Sequence, residues 1–172
     1  MSDIAKKNDF LNQSRFNESR ERGEIVHGYI DEYWKTGIEP INVGKYQPWV
    51  DSFLNQKSLH KWRAVASEFR LVDRTYDIAG SLDLILKSVE TGRVALCDYK
   101  TKNEVFSKSN HRVQMGGYIS LLQANYPGFH LDTVRIFWIT NKKTTSNEYD
   151  VIDCLQQYEQ ARNAYFEKQL PW

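Results

Sequence analysis

The chain has 172 residues, of which 41% are hydrophobic and 26% charged, an ordinary globular composition at a length that suits one domain with a real core. Its two cysteines exclude a disulfide framework, and a net charge of +1 does not by itself advertise a nucleic-acid binder. No stretch approaches the ~18 apolar residues of a membrane span and the start, MSDIAKKNDF, has no apolar signal core, so the expectation is a single cytoplasmic domain over 1–172 with no membrane partner.

Residues 1–13 form a candidate flexible lead. A helix is predicted over 14–36, where Ile25, Tyr29, Tyr33, Ile30 and Trp34 make an apolar stripe; Gly37 to Gly44, with Pro40, breaks it. A second helix is predicted over 47–59, carrying Trp49, Val50, Phe53 and Leu54. Strands follow at 64–72, 75–87 and 93–101, the last two joined by a hairpin turn at Glu90-Thr91-Gly92. The next helix, 110–125, is capped by Ser109 or Asn110 and ended by Pro127-Gly128. A strand over 132–140 is apolar on both faces, as an interior strand is. A polar turn at 141–147, an edge strand at 148–152 and a closing helix at 153–168 complete the chain.

The chemistry concentrates in three strands. Asp98 and Lys100 stand two apart, so they project from one face with Cα atoms roughly 6.6 Å apart. Alone, such a pair reads as an ordinary surface ion pair. Asp83, however, lies among Leu82, Leu84, Ile85 and Leu86, and a partly buried carboxylate needs a cation, a metal or a proton. On a neighbouring antiparallel strand it would lie close to Asp98, and adjacent carboxylates repel unless a hard divalent ion separates them. Glu68 falls opposite the Val65, Ser67, Phe69, Leu71 face; it is either a solvated partner of Arg70 or part of the same site. Gln114 and Tyr118 stack on one helix face. Gly116 and Gly117, costly inside a helix, imply a close approach to the sheet or a ligand. Cys97, in an apolar strand, reads as a small buried hydrophobe.

Together these residues resemble the PD-(D/E)XK nuclease superfamily, in particular its RecB-type exonuclease branch. The matching segments, in order, are Gly23 to His27, Ser67-Glu68, Gly80-Ser81-Leu82-Asp83, Asp98-Tyr99-Lys100 and Gln114 to Tyr118. The resemblance implies an α/β fold with a restriction-endonuclease-like core, a central mixed β-sheet flanked by helices. It implies a metal-dependent deoxyribonuclease acting on single-stranded DNA or DNA ends, in repair, recombination or phage replication, with Mg²⁺ or Mn²⁺ as cofactor. His27, which on residues alone reads as a core histidine, becomes a metal ligand with Asp83, Asp98 and the Tyr99 carbonyl. Lys100, Asp83, Asp98 and Glu68 form the catalytic set. Gln114, Tyr118, Lys102 and Arg112 are substrate-binding candidates, the last two from a basic segment that also holds Lys108 and His111; Arg15, Arg20 and Arg22 precede the His27 helix. Relatives with an iron–sulfur cluster use four cysteines, and Cys97 and Cys154 cannot build one. A structure- or sequence-specific endonuclease, or a catalytically silent nucleic-acid-binding module, remain alternatives on the same fold. Oligomeric state is not readable.

Overall fold

The computed structural model describes residues 3–103 and 110–168, with residues 3–12 as backbone only. Ser109 and Lys108, singled out above, lie outside the described residues, as do the side chains of most of the 1–13 lead. The long first helix α1 spans Asp3–Thr36, beginning well before residue 14 because DIAKKNDFLNQ contains no glycine or proline to stop it. Helix α2, Gln47–Leu54, is shorter than predicted. At Gln56 the backbone becomes extended, and its side-chain amide donates to the Thr144 carbonyl (2.6 Å), so the chain continues as a 3₁₀ turn at Lys57–Lys61.

Five strands follow, β1 Trp62–Asp73, β2 Ile78–Ser88, β3 Val94–Thr101, β4 Thr133–Ile139 and β5 Thr144–Tyr149, with helix α3, Arg112–Asn125, between β3 and β4 and helix α4, Val151–Glu167, at the end. They form one sheet in the order β1-β2-β3-β4-β5. Only the β3–β4 pair is parallel, so the sheet is mixed; α3 is the crossover that a parallel pair requires. The β2–β3 turn closes where expected, with Ser88 accepting the amide of Gly92 (3.0 Å), which sits at φ 73. The last strand differs from its prediction. A tight turn, in which Thr140 Oγ1 accepts the amides of Lys142 and Lys143, starts β5 at Thr144; Asp150 then caps α4 by accepting the Asp153 amide (2.9 Å).

The sheet has a core on each side. Under α1 and α2, Val26, Ile30, Val50 and Phe53 pack on Leu84, Leu86, Ala95, Cys97 and Tyr99. Under α3 and α4, Met115, Ile119, Leu122 and Cys154 pack on Ile85, Leu96, Val134, Ile136 and Trp138. The two cysteines therefore sit in different layers. Among the described residues no helix is long and apolar enough to cross a membrane.

Gly116 and Gly117 approach neither the sheet nor the site, contrary to the sequence-based expectation. They let α3 lie against α4: a Cβ on Gly116 would stand 2.1 Å from the Cys154 carbonyl oxygen and 2.6 Å from Tyr158 Cβ. Alanine gains about 1 kcal/mol of helix propensity over glycine, but overpacking against fixed backbone costs typically 1–3 kcal/mol and occasionally more, so the clash wins. Gly116→Ala is expected to lower stability by about 2 kcal/mol net, a fall of roughly 4–8 °C in melting temperature at this size. An unchanged melting temperature by circular dichroism would refute the close contact.

Candidate active site

The ladder between β2 and β3 ends at the pair Leu84↔Cys97. Asp83 and Asp98 are the first residues past that end, on strands that part there into a fork. The Asp83 carboxylate takes over from the ladder, its Oδ2 accepting the Tyr99 amide at 2.8 Å. The expected proximity of the two aspartates thus arises from strand divergence as much as from pairing.

On the other side of β2, β1 departs twice from the alternation read in its sequence. A register shift between Ala64 and Ala66 makes Val65 an inserted residue, 50% exposed and not part of an apolar face. Glu68 then adopts φ 47, the left-handed region in which a residue with a Cβ is strained. The consequence is that Ser67 and Glu68, adjacent in sequence, both serve the α1 side: Ser67 Oγ donates to Asp31 of α1, and Glu68 stands beside His27. Glu68 makes no ion pair with Arg70 among the described residues. Its carboxylate accepts a long hydrogen bond from Ser81 Oγ, 3.4 Å from Oε2.

Ligand atoms of His27, Glu68 and Asp83 lie within 4.8 Å of one another. Two opposite oxygens in a Mg²⁺ shell stand roughly 4.2 Å apart, at bonds of about 2.1 Å; a small side-chain adjustment closes the difference. Asp98 lies beside this trio and is almost fully buried. Its Oδ2 pairs with Lys100 Nζ at 2.6 Å. Burial pushes the Asp83 carboxyl up to about 6, and burial followed by the Asp83 charge pushes Asp98 up to about 6. Burial lowers the pKa of His27, so its ring is neutral and nucleophilic at pH 7; a hydrogen bond with the Tyr99 carbonyl and a contact from Nδ1 to Asp83 Oδ2 (3.7 Å) orient it. Two desolvated carboxylates with raised pKa values, together with a neutral imidazole and Glu68, form a donor set that fits a hard or borderline divalent ion.

The other candidates divide. Gln114 Nε2 donates to Tyr118 Oη (2.8 Å) and makes a long 3.4 Å contact to Asp98 Oδ1, so both reach the site's edge. Tyr118 is half-buried, its ring lying where a Gly80 Cβ would stand 3.2 Å away. Lys102 stacks on Trp138, 4.6 Å from the ring centre. Arg112 points elsewhere: its guanidinium pairs with Asp153 of α4 (2.6 Å) and lies over Tyr149. Arg22, named above with Arg15 and Arg20, is buried. It donates to Asn103 Oδ1 (2.8 Å) and Thr101 O (3.4 Å), holding the end of β3 against α1. His111, expected only as part of the basic segment, packs on Trp138 and lies close enough to Asp98 and Lys100 to feel both charges. Its position immediately before the helix that carries Gln114 was the available signal.

A family model of the PD-(D/E)XK nuclease superfamily matches residues 47–170. That span includes Glu68, Asp83, Asp98, Lys100, Gln114 and Tyr118 but not His27. The structure is similar to that of a candidate exonuclease from Eubacterium rectale, with a TM-score of 0.57 at 11% identity, over 86% of this chain and 65% of that one. The alignment therefore spans a little under two thirds of that protein's length. The solved structure of SSO0001 aligns over 90% of this chain and 84% of its own at 12% identity, with a TM-score of 0.36, too low to bear on the fold. No curated protein matches the sequence. The mixed sheet with its helices is the fold that the first of these structures shares, and with the family model covering well over half of its length, the chain belongs to the PD-(D/E)XK nuclease superfamily.

Proposed function

We propose that this protein is a metal-dependent deoxyribonuclease, a RecB-like exonuclease that hydrolyses phosphodiester bonds of single-stranded DNA or DNA ends. The observation that carries the reading is the convergence of His27, Glu68 and Asp83 at the β2–β3 fork, beside the buried Asp98–Lys100 pair. In this reading Asp83, Asp98 and Glu68, with His27 and the Tyr99 carbonyl, hold Mg²⁺ or Mn²⁺. A divalent ion bound there supplies Lewis acidity toward a phosphate oxygen and lowers the pKa of a water in its shell. Lys100 orients the attacking oxygen and offsets charge that develops on the phosphate. The strain at Glu68 is consistent with a backbone bent to present its carboxylate. Gln114 and Tyr118 position the strand next to Asp98, and Lys102 contributes a phosphate contact nearby.

The test is incubation of the pure protein with end-labelled linear and with circular single-stranded DNA, with and without Mn²⁺. Mn²⁺-dependent loss of the linear strand with the circle intact is the expected result. Cutting of the circle would make it an endonuclease, and binding without any cutting a silent module. Tyr118→Ala is expected to weaken binding of a single strand by roughly the 1–3 kcal/mol of a lost aromatic–base stack. Tyr118→Phe, which keeps the ring over Gly80, should lose far less. A fall in melting temperature with normal DNA affinity, measured by fluorescence anisotropy, would confine Tyr118 to packing.

A further inference from the structure

Beyond the Ile78 end of β2, the β1–β2 hairpin and the last turns of α4 form a second surface. The hairpin turn is built to hold one side chain out. Asp73 Oδ1 accepts the Thr75 amide (2.8 Å), and Asp77 at φ 52 reverses the chain, which presents Tyr76 toward α4. There Arg162 Cζ lies over the Tyr76 ring, 4.3 Å from its centre, and 5.6 Å from that of Tyr158, while Phe166 lies beside Tyr76 with ring centres 6.2 Å apart. These groups line a cavity of about 440 Å³. Tyr76 and Phe166 remain 40% exposed and Tyr165 60% exposed, more than packing of a helix end requires. Among the described residues no carboxylate pairs with Arg162, and a stacked guanidinium keeps its edge donors available for phosphate oxygens.

This surface is joined to the fork by a line of contacts. Gln114 touches Asp98 and holds Tyr118; Tyr118 covers Gly80 of β2; Tyr158 lies against Gly117, one residue from Tyr118; Arg162 bridges Tyr158 to Tyr76. Ile78, on the cavity wall, is five residues from Asp83, roughly 17 Å along an extended strand. At about 3.4 Å per stacked nucleotide that distance corresponds to about five nucleotides. Exposed aromatic faces with an intercalated arginine match the chemistry of a single nucleic-acid strand, whose bases offer π-faces and whose backbone offers anionic oxygens.

We infer that the Tyr76–Arg162–Phe166 surface binds the single strand about five nucleotides away from the bond held at the fork, and so sets how affinity grows with strand length. The inference rests on the nuclease reading for its geometry, but its test is read by binding. Anisotropy titrations with labelled single strands of four, eight, twelve and twenty nucleotides, in Ca²⁺, compare wild type with Tyr76→Ser/Arg162→Gln and with Tyr76→Phe. Wild type should gain affinity steeply beyond about five nucleotides. The double variant should lose about tenfold or more on the twenty-mer and most of that gain, at an unchanged melting temperature, while Tyr76→Phe keeps it because the ring remains. A double variant with the full length dependence overturns the inference, as does wild type with none. A shift in oligomeric mass of the variant at unaltered DNA affinity also overturns it, making the surface a contact between copies. If wild type binds with this length dependence but cuts nothing in Mn²⁺, the nuclease reading fails and the binding surface stands.

Discussion

Lys100→Ala is expected to bind metal and DNA at least as well as the wild type, yet to cleave DNA about 10²–10³-fold more slowly, the loss typical of one preorganised donor. The ammonium is not needed to hold a second cation. At 2.6 Å from Asp98 Oδ2 it competes for the oxygen that a metal would use, so removing it leaves the site more negative and more receptive. In the proposed mechanism its value lies in the charge that appears only as the phosphodiester reacts. Lys100→Arg should rescue poorly, because the planar, wider guanidinium does not replace a compact ammonium. Single-turnover cleavage beside calorimetric Mn²⁺ titration separates the two effects. Parallel loss of metal affinity and rate would mean that Lys100 holds the site together and does not act on the reaction.

Asp83→Asn and Asp98→Asn are each expected to remove metal binding and to reduce cleavage below detection while the fold persists. Asp83→Asn is the cleaner of the two, since an amide oxygen can still accept the Tyr99 amide. It should also stabilise the metal-free protein, with a definite pH dependence. A carboxyl whose pKa rises from 3.8 to about 6 on folding favours the folded state fully below about pH 4 and loses that contribution as pH climbs through 6. At pH 8 the wild type therefore carries a penalty of the order of 3 kcal/mol that asparagine lacks, or roughly 6–12 °C in melting temperature. The difference should vanish near pH 4, and saturating Mn²⁺ should reverse it by stabilising only the wild type. Thermal melts at pH 4, 6 and 8 check this; a variant that cuts DNA at the wild-type rate would remove Asp83 from the site.

The parts of the site that were legible in the sequence are those set by regular strand geometry. Asp98 and Lys100 share a face because two residues is the strand period, and the Glu90-Thr91-Gly92 turn fixed the hairpin that brings Asp83 to them. The mixed sheet is what the family resemblance carried by those motifs implies. What escaped notice depends on departures from period or on partners distant in sequence. Nothing in AVASEFRLV announces that Val65 is inserted or that Glu68 turns left-handed, although these two events aim Glu68 at His27. Gly116 reads as a gap beside sheet or ligand until α4, nearly forty residues later, is seen lying on it. Arg22 and Arg112 carry the same formal charge as a solvated residue, and only the positions of Asn103 and Asp153 show them engaged in packing.

The meander of β1, β2 and β3 has a consequence for how the chain reaches this structure. Glu68, Asp83 and Asp98 stand at regular intervals of fifteen residues, one on each successive strand, so ordinary hairpin closure is enough to gather them. These are contacts of low order, which form early. Repulsion among the carboxylates belongs to the association of the first three strands, whose pairings are closer in sequence than the β3–β4 pairing that α3 must span. If the proposed metal site is right, protons or a divalent cation that relieve this repulsion would act on the rate of assembly as well as on the finished site, which would make the metal a folding partner of the meander.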